Sequence, residues 1–167
     1  MSEPFSITRA MSSEEGVYGL ILVSGIIAAT GSAGAPAWKT LLFTVVTVVV
    51  FWLAHVYAGV VAAHGSSGPD GSVTGLRVAI RRAVTKARGM LAATVFPALA
   101  LLLGAFGVLD EIDSIWLALW VGVIALGWLG FTAYQRKGAR WPVKLLGAVS
   151  TASFGLIIIL AKAVVSH

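Results

Sequence analysis

Residues 40–63, TLLFTVVTVVVFWLAHVYAGVVAA, decide the fold of this chain. The stretch contains no Asp, Glu, Lys or Arg, and about 20 apolar residues suffice to cross the hydrocarbon core of a bilayer. Of the 167 residues in the chain, 58% are hydrophobic and 11% are charged, whereas soluble domains carry about 25% charged residues. The mean hydropathy is +0.93. We therefore expect an integral membrane protein.

Four further apolar runs of similar length accompany this one. Together they predict an all-α, polytopic membrane helix bundle of about five transmembrane helices, forming a single integral membrane domain over residues 1–167. The expected spans are residues 16–37, 40–63, 90–109, 115–134 and 143–165.

The distribution of basic residues predicts the orientation. Ten of the twelve Lys and Arg residues lie in the N-terminal segment and in loops 64–89 and 135–144, which leaves Lys39 and Lys162 on the other side. Because cytoplasmic loops of membrane proteins hold the excess of Lys and Arg, the N-terminus is predicted inside and the C-terminus outside. The expected location is the bacterial cytoplasmic (inner) membrane. The net charge of +5 then reflects topology, and no nucleic-acid partner is expected.

Residues 73–88 show the pattern of a basic amphipathic helix. Apolar side chains recur at spacings of three and four, and arginines form a second stripe, which is typical of a helix lying flat on an anionic membrane surface. A voltage sensor would need these charges inside a span, and this segment is too polar to cross. We expect anionic lipids of the inner leaflet as partners, bound by Arg77, Arg81, Arg82, Lys86 and Arg88.

His55 is the ionisable residue predicted deepest in the membrane, roughly 12 Å from the cytoplasmic end of its span at 1.5 Å per residue. Thr44, Thr47 and His55 recur on one helix face. An ionisable residue inside a span is by default a functional candidate. This line of polar groups is therefore a candidate pore or relay for a cation or a proton. The alternative is a structural hydrogen bond from the imidazole to a neighbouring helix.

Glu15 and Tyr18, at the start of the first span, are candidate partners for His55. Glu15 could turn inward and pair with the imidazole, or Tyr18 could bridge the distance. Counting from the membrane face places His55 deeper than Glu15, near the level of Ser24. The alternative is a capping box with Ser12, in which Glu15 satisfies free amides at the helix start.

The turn between the third and fourth predicted spans is acidic. It contains Asp110, Glu111 and Asp113. In an oligomer, such carboxylates could form a ring that concentrates cations at an outer pore mouth. The alternative is that they are solvated helix caps, with Asp113 placed to cap the fourth span.

Two rows of small residues predict close helix packing, either within one subunit or between subunits. Five helices enclose no obvious conduit, so a transport role would require a homo-oligomer, which we expect. The rows are Ala54, Ala58 and Ala62 in the second span and Gly147, Thr151 and Gly155 in the fifth.

The motifs of membrane enzymes are not in the sequence. The chain has no cysteine and no H-E-x-x-H zinc motif, and its three histidines lie apart at 55, 64 and 167. Thiolate metal sites, zinc hydrolysis and bis-histidine haem ligation all need one of these arrangements. We expect no enzyme activity, no metal and no cofactor.

Two short motifs carry a family resemblance. With the Ala, Val and Gly-rich composition, they make the chain resemble a family of small, uncharacterised multi-pass membrane proteins of high-GC actinobacteria, which implies no particular activity. The motifs are Glu14-Glu15-x-x-Tyr18-Gly19 and Phe51-Trp52-x-Ala54-His55-x-Tyr57-Ala58.

The first two spans also resemble the potassium-channel family that lacks a P-loop filter, the transmembrane protein 175 type. In that family a first-helix Arg-x-x-x-Phe-Ser-Asp engages a second-helix Trp-x-x-His. Trp52 and His55 match the second motif, and Arg9 and Glu15 have the spacing of the family's Arg and Asp. The two residues before Glu15 differ from the family's, and five spans replace six. The resemblance implies a cation channel in which Trp52 and His55 set helix geometry.

Two functions therefore stand as hypotheses, and the first is the one that we expect. The first is an oligomeric cation or proton channel or transporter in which His55, supported by Trp52 and by Glu15 or Tyr18, sets helix geometry or relays charge. The second is a non-conducting accessory or membrane-organising protein that packs on partner helices. A conduit predicts a hydrated path along the threonine and histidine line. An accessory protein predicts that line buried and a small-residue row exposed for a partner.

Overall fold

The computed structural model describes residues 14–65 and 74–165, and the regular structure in these ranges is α-helical. All five helices are long and apolar enough to cross a membrane. The chain is thus a multi-pass membrane protein with the five spans that its apolar runs predict. The helices are α1 (Glu14–Ser32), α2 (Ala37–Ala63), α3 (Leu76–Ala105), α4 (Glu111–Arg136) and α5 (Trp141–Val165).

Tight turns join α3 to α4 and α4 to α5. Gly107 ends α3 and Gly138 ends α4, with φ of 70° and 67°, a left-handed conformation that glycine adopts without steric cost. After each glycine, the next amide donates to the carbonyl five residues earlier, at 2.9 Å for Val108 and 3.2 Å for Ala139. This arrangement is the Schellman motif, which satisfies the last carbonyls of a helix.

The five helices differ in how deeply they are buried. In the most apolar stretches of α1, α3 and α4, 44%, 56% and 44% of the residues are buried, against 6% in α2 and 17% in α5. The core contains side chains such as Ile27, Leu101 and Leu119, which are at most 1% exposed. Helices α1, α3 and α4 therefore form the interior, while α2 packs on α3 and α1 and α5 packs mainly on α4.

Helix α3 contains the segment for which a separate surface helix is predicted over 73–88. The structure instead has one 30-residue helix from Leu76 to Ala105, and residue 73 lies outside the described residues. No proline or glycine falls between Leu76 and Arg88 to interrupt the hydrogen-bond ladder. The basic segment is therefore continuous with the third span.

The buried face of this basic segment contains only part of the predicted apolar stripe, which consists of Leu76, Ile80, Ala83, Val84 and Ala87. Ala83 and Ala87 are buried, whereas Leu76 and Ile80 are exposed. A Cβ built on Gly59 of α2 would lie 3.1 Å from the Ala83 Cβ. Alanine and glycine allow the backbones to approach closely, so this face packs on α2.

Helices α4 and α5 are joined through the small-residue row of α5. Gly147 and Gly155 are buried, and a Cβ on Gly130 of α4 would overlap the Gly147 carbonyl and the Thr151 hydroxyl. The Thr151 hydroxyl donates to the Leu126 carbonyl of α4 at 2.8 Å. This row therefore packs within the subunit, while Ala54, Ala58 and Ala62 of α2 are exposed.

We predict that Gly130→Ala destabilises the protein, because the added methyl group must push α5 away from α4. Overpacking of this kind costs about 1–3 kcal/mol. Thermal unfolding of the purified protein in detergent measures the change.

Gly127→Ala is the matched control on the same helix, since its Cβ would lie 3.6 Å from the nearest atom, the Ala152 Cβ. This variant should keep the wild-type stability or gain up to about 1 kcal/mol from helix propensity. Equal melting temperatures for the two variants would contradict the close α4–α5 contact.

Candidate functional site

An ion pair joins α1 to α3 near the start of α1. The Glu15 carboxylate is 3.3 Å from the Lys86 ammonium, and Glu15 is 5% exposed while Lys86 is 68% exposed. The two helices run parallel, and a Cβ on Gly19 would lie 2.9 Å from the Met90 Cα. Glu15 lies one helical turn before Gly19, and Lys86 lies one turn before Met90. The two side chains are therefore neighbours. The buried carboxylate is neutralised by a cation that reaches it from the protein surface.

His55 lies on the exposed side of α2. Because α2 runs antiparallel to α3 and Gly59 packs on Ala83, His55 lies opposite Ala87, close to the level of the Glu15–Lys86 pair. The depth count that placed His55 near the level of Ser24 is thus corrected. That expectation takes the start of α1 and the end of α2 as level with each other, whereas the last residues of α2 extend beyond the start of α1.

The predicted contact of Glu15 or Tyr18 with His55 is replaced by the Glu15–Lys86 pair. Tyr18 is 65% exposed, and in the described part of the chain neither it nor Glu15 forms a hydrogen bond or ion pair with His55. The three residues lie at similar levels, but the rotation of α2 turns His55 away from α1. Ser12 and Arg9, the other predicted partners of this region, lie outside the described residues.

The polar line predicted along α2 is divided between core and surface. Thr44 is buried and donates to the Thr40 carbonyl of its own helix at 2.7 Å, Thr47 is half-buried and His55 is exposed. Trp52 is half-buried against the apolar core. The residues share a face only approximately, and α2 is buried in its first half alone.

The acidic turn before α4 is exposed at Asp110, Glu111 and Asp113. Helix α4 begins at Glu111, so its N-cap is Asp110 rather than Asp113. The Asp110 carbonyl accepts a 2.9 Å hydrogen bond from the Ser114 amide, and its side chain forms no capping hydrogen bond. Glu111 and Asp113 lie in the first turn, where a negative charge interacts favourably with the helix dipole.

The five predicted lipid-binding residues lie together on the exposed side of the first half of α3. They line a surface groove of about 1320 Å³ together with Val78 and Thr85. Cations at one end of a membrane bundle attract anionic headgroups. The residues are Arg77, Arg81, Arg82, Lys86 and Arg88.

Lys162 is a candidate residue that sequence reasoning misses when it uses the residue only to predict orientation. The structure buries it to 8% exposure and places its ammonium 4.7 Å from the centre of the Trp116 ring. The available signal was its position inside the apolar run 143–165. An ionisable residue in such a run is a functional candidate by the same rule that selects His55.

No three His, Asp or Glu side chains within 14–65 and 74–165 come together as a metal site requires. Comparisons with protein-family models, with curated proteins and with solved structures give no significant match. Function is therefore inferred from the residues of the chain itself.

We predict energetic coupling between Glu15 and Lys86 and none between Glu15 and His55. Double-mutant cycles with Glu15→Gln, Lys86→Ala and His55→Ala, read by unfolding in detergent, measure both couplings. Contacting residues couple by about 0.5–3 kcal/mol, and the exposure of Lys86 sets the expected value near the lower limit. Coupling of Glu15 to His55 but not to Lys86 would contradict the arrangement at this end of the bundle.

Proposed function

We propose that this chain is a non-conducting, membrane-organising protein that packs on a partner transmembrane helix through the exposed face of α2, and that the partner is α2 of a second copy. The observation that carries the proposal is the one-sided burial of α2. Its buried residues, Ala37, Thr40, Thr44 and Val48, all lie in its first half. The second half touches α3 along one side and leaves the rest of its circumference open.

The open face of α2 has the composition of a helix interface. Ala54, Ala58 and Ala62 form an exposed row of small residues, and His55 lies beside Ala58 on the helix surface. In lipid, helices associate by van der Waals packing at small residues and by hydrogen bonds between polar side chains. A partner helix on this face would supply both, since its small residues would pack on the alanine row and its polar groups would hydrogen-bond the imidazole.

The interior of the subunit supports a non-conducting role. Apolar side chains fill the space between α1, α3 and α4, and Leu20, Met90 and Leu126 among them are at most 1% exposed. A conduit requires polar groups or water along its length. Packing of this kind favours a solid bundle whose function lies on its outer faces.

We further propose that the N-terminus and the α2–α3 loop face the cytoplasm in the bacterial inner membrane. Most of the basic residues lie at that end of the bundle, as the positive-inside rule requires. The basic first half of α3 would then meet anionic headgroups of the inner leaflet.

A second candidate is a cation or proton conduit along the axis of an oligomer. Two observations favour it. His55 lies on the exposed face that oligomerisation would enclose. Ser24 Oγ, Thr40 Oγ1 and Trp52 Nε1 are buried without a hydrogen-bond partner among the described residues, and buried polar groups in proteins are nearly always hydrogen-bonded, to protein or to ordered water.

We predict that Ala58→Cys forms disulfide-linked dimers in membranes under mild oxidation. The chain contains no native cysteine. Any disulfide between two copies must therefore form at the introduced cysteine. Cysteines that face each other across a helix pair lie close enough to bridge. Non-reducing gel electrophoresis of membranes measures the dimer fraction.

The matched control is Ile124→Cys on α4, whose side chain is 69% exposed on another face. It should remain monomeric under the same oxidation. Equal cross-linking at the two positions, or none at Ala58→Cys, would contradict packing of α2 on a second copy.

Because apolar side chains fill the interior of the subunit, we predict no flux of potassium, sodium or protons above that of empty vesicles in proteoliposomes between about pH 5 and 8. Ion-selective fluorescent dyes measure the flux. If the wild type conducts and His55→Ala changes the flux while His64→Ala does not, the conduit becomes the better account.

A further inference from the structure

A groove lies between α1 and α5, at the end of the bundle opposite the Glu15–Lys86 pair. Its volume is about 430 Å³, and its walls are small or aliphatic residues, with Gly25 and Ala29 on α1 and Ile158 and Ala161 on α5. Ala29 and Ala161 are exposed, so the groove opens on the surface of the bundle that faces lipid. Lys162 completes its lining at the end where α5 finishes.

Lys162 is held in place by three helices. Its side-chain Cε lies 3.3 Å from the position of a Cβ on Gly31 of α1, and its ammonium is 4.7 Å from the Trp116 ring centre on α4. Glycine at position 31 lets α1 approach this site closely, since a Cβ there would lie 2.8 Å from Ile115 Cγ2 as well as 3.3 Å from the lysine stem. Lys162 is 8% exposed. It is therefore the least solvent-exposed cation in the described part of the chain.

Among the described residues, no carboxylate forms an ion pair with the Lys162 ammonium. The ion pair in the described residues joins Glu15 to Lys86 at the other end of the bundle, and the carboxylates nearest in sequence to Trp116, such as Asp113, are exposed. Attraction to one aromatic ring is weaker than the cost of removing an ammonium from water. A buried lysine in this setting favours an anion that binds from outside the protein.

We propose that this groove is a binding site for a phospholipid with an anionic headgroup. The Lys162 ammonium binds the headgroup phosphate, and one acyl chain lies along the groove between α1 and α5. The distance from Gly25 to Ser32 along α1 is about 10 Å at 1.5 Å per residue, so several methylene groups of the chain contact the walls. The apolar walls select a lipid over a free anion, and the ammonium selects an anionic headgroup over a zwitterionic one.

Native mass spectrometry of the purified full-length protein tests the proposal, with dioleoylphosphatidylglycerol and dioleoylphosphatidylcholine as the lipids. We expect Lys162→Gln to weaken binding of the anionic lipid about tenfold or more, because a hydrogen bond to a charged partner is lost. Lys39→Gln is the matched control, since Lys39 also lies over a tryptophan, Trp38, at 5.5 Å but is exposed. It should bind as the wild type does.

Gly25→Leu provides a variant that leaves the charge intact. A Cβ at position 25 meets no atom within 4 Å, so the leucine enters the groove without disturbing the packed helices, and the protein should fold even if Lys162→Gln does not. We expect it to weaken binding of the anionic lipid by a similar factor.

A phosphatidylglycerol with a photoreactive acyl chain locates the site. Its adducts should map to the facing residues of α1 and α5 in the wild type and be lost in Gly25→Leu. Wild-type binding by both variants, equal affinity for phosphatidylcholine, or equal stabilisation of the protein by inorganic phosphate would each overturn the proposal.

Discussion

Close contact between helix backbones is the constraint on which this structure depends. Inside a bilayer, burying apolar surface gives little drive for association, so helices must gain energy from van der Waals packing. The chain supplies glycines where neighbours meet, at Gly19 against Met90, Gly104 against Ser114 and Gly130 against Gly147. Each of these contacts fixes the relative height of two helices. The heights in turn determine which polar side chains meet.

The same packing explains why α2 is peripheral. The small residues of α1, α3 and α4 pack against one another, and the small-residue row of α5 packs against α4. Helix α2 uses Gly59 against Ala83 on one side and retains an exposed alanine row on another. A stable bundle is thus complete without that row. The face that carries this row also carries His55, which is exposed as well.

The five spans could be predicted from sequence because span length and hydropathy are properties of the chain alone. Which residues meet could not be predicted, because partners depend on the rotation and height of each helix. Glu15 illustrates the difference, since its level matches His55 while its partner is Lys86. The charge of the basic segment before Gly89 predicts a surface helix, yet Ala83 of that segment packs on α2. The position of Lys162 inside an apolar run is visible in the sequence, but its contacts with Gly31 and Trp116 are not, because both residues are distant in sequence.

The central claim is that the alanine row of α2 faces a partner helix. A photoreactive amino acid placed in turn at each residue from 53 to 62, in cells, tests it most directly. The account predicts protein adducts at Ala54, Ala58 and Ala62 and lipid adducts at the large exposed residues Leu53 and Tyr57 of the adjacent face. Lipid adducts at every position, with no helical period, would contradict it.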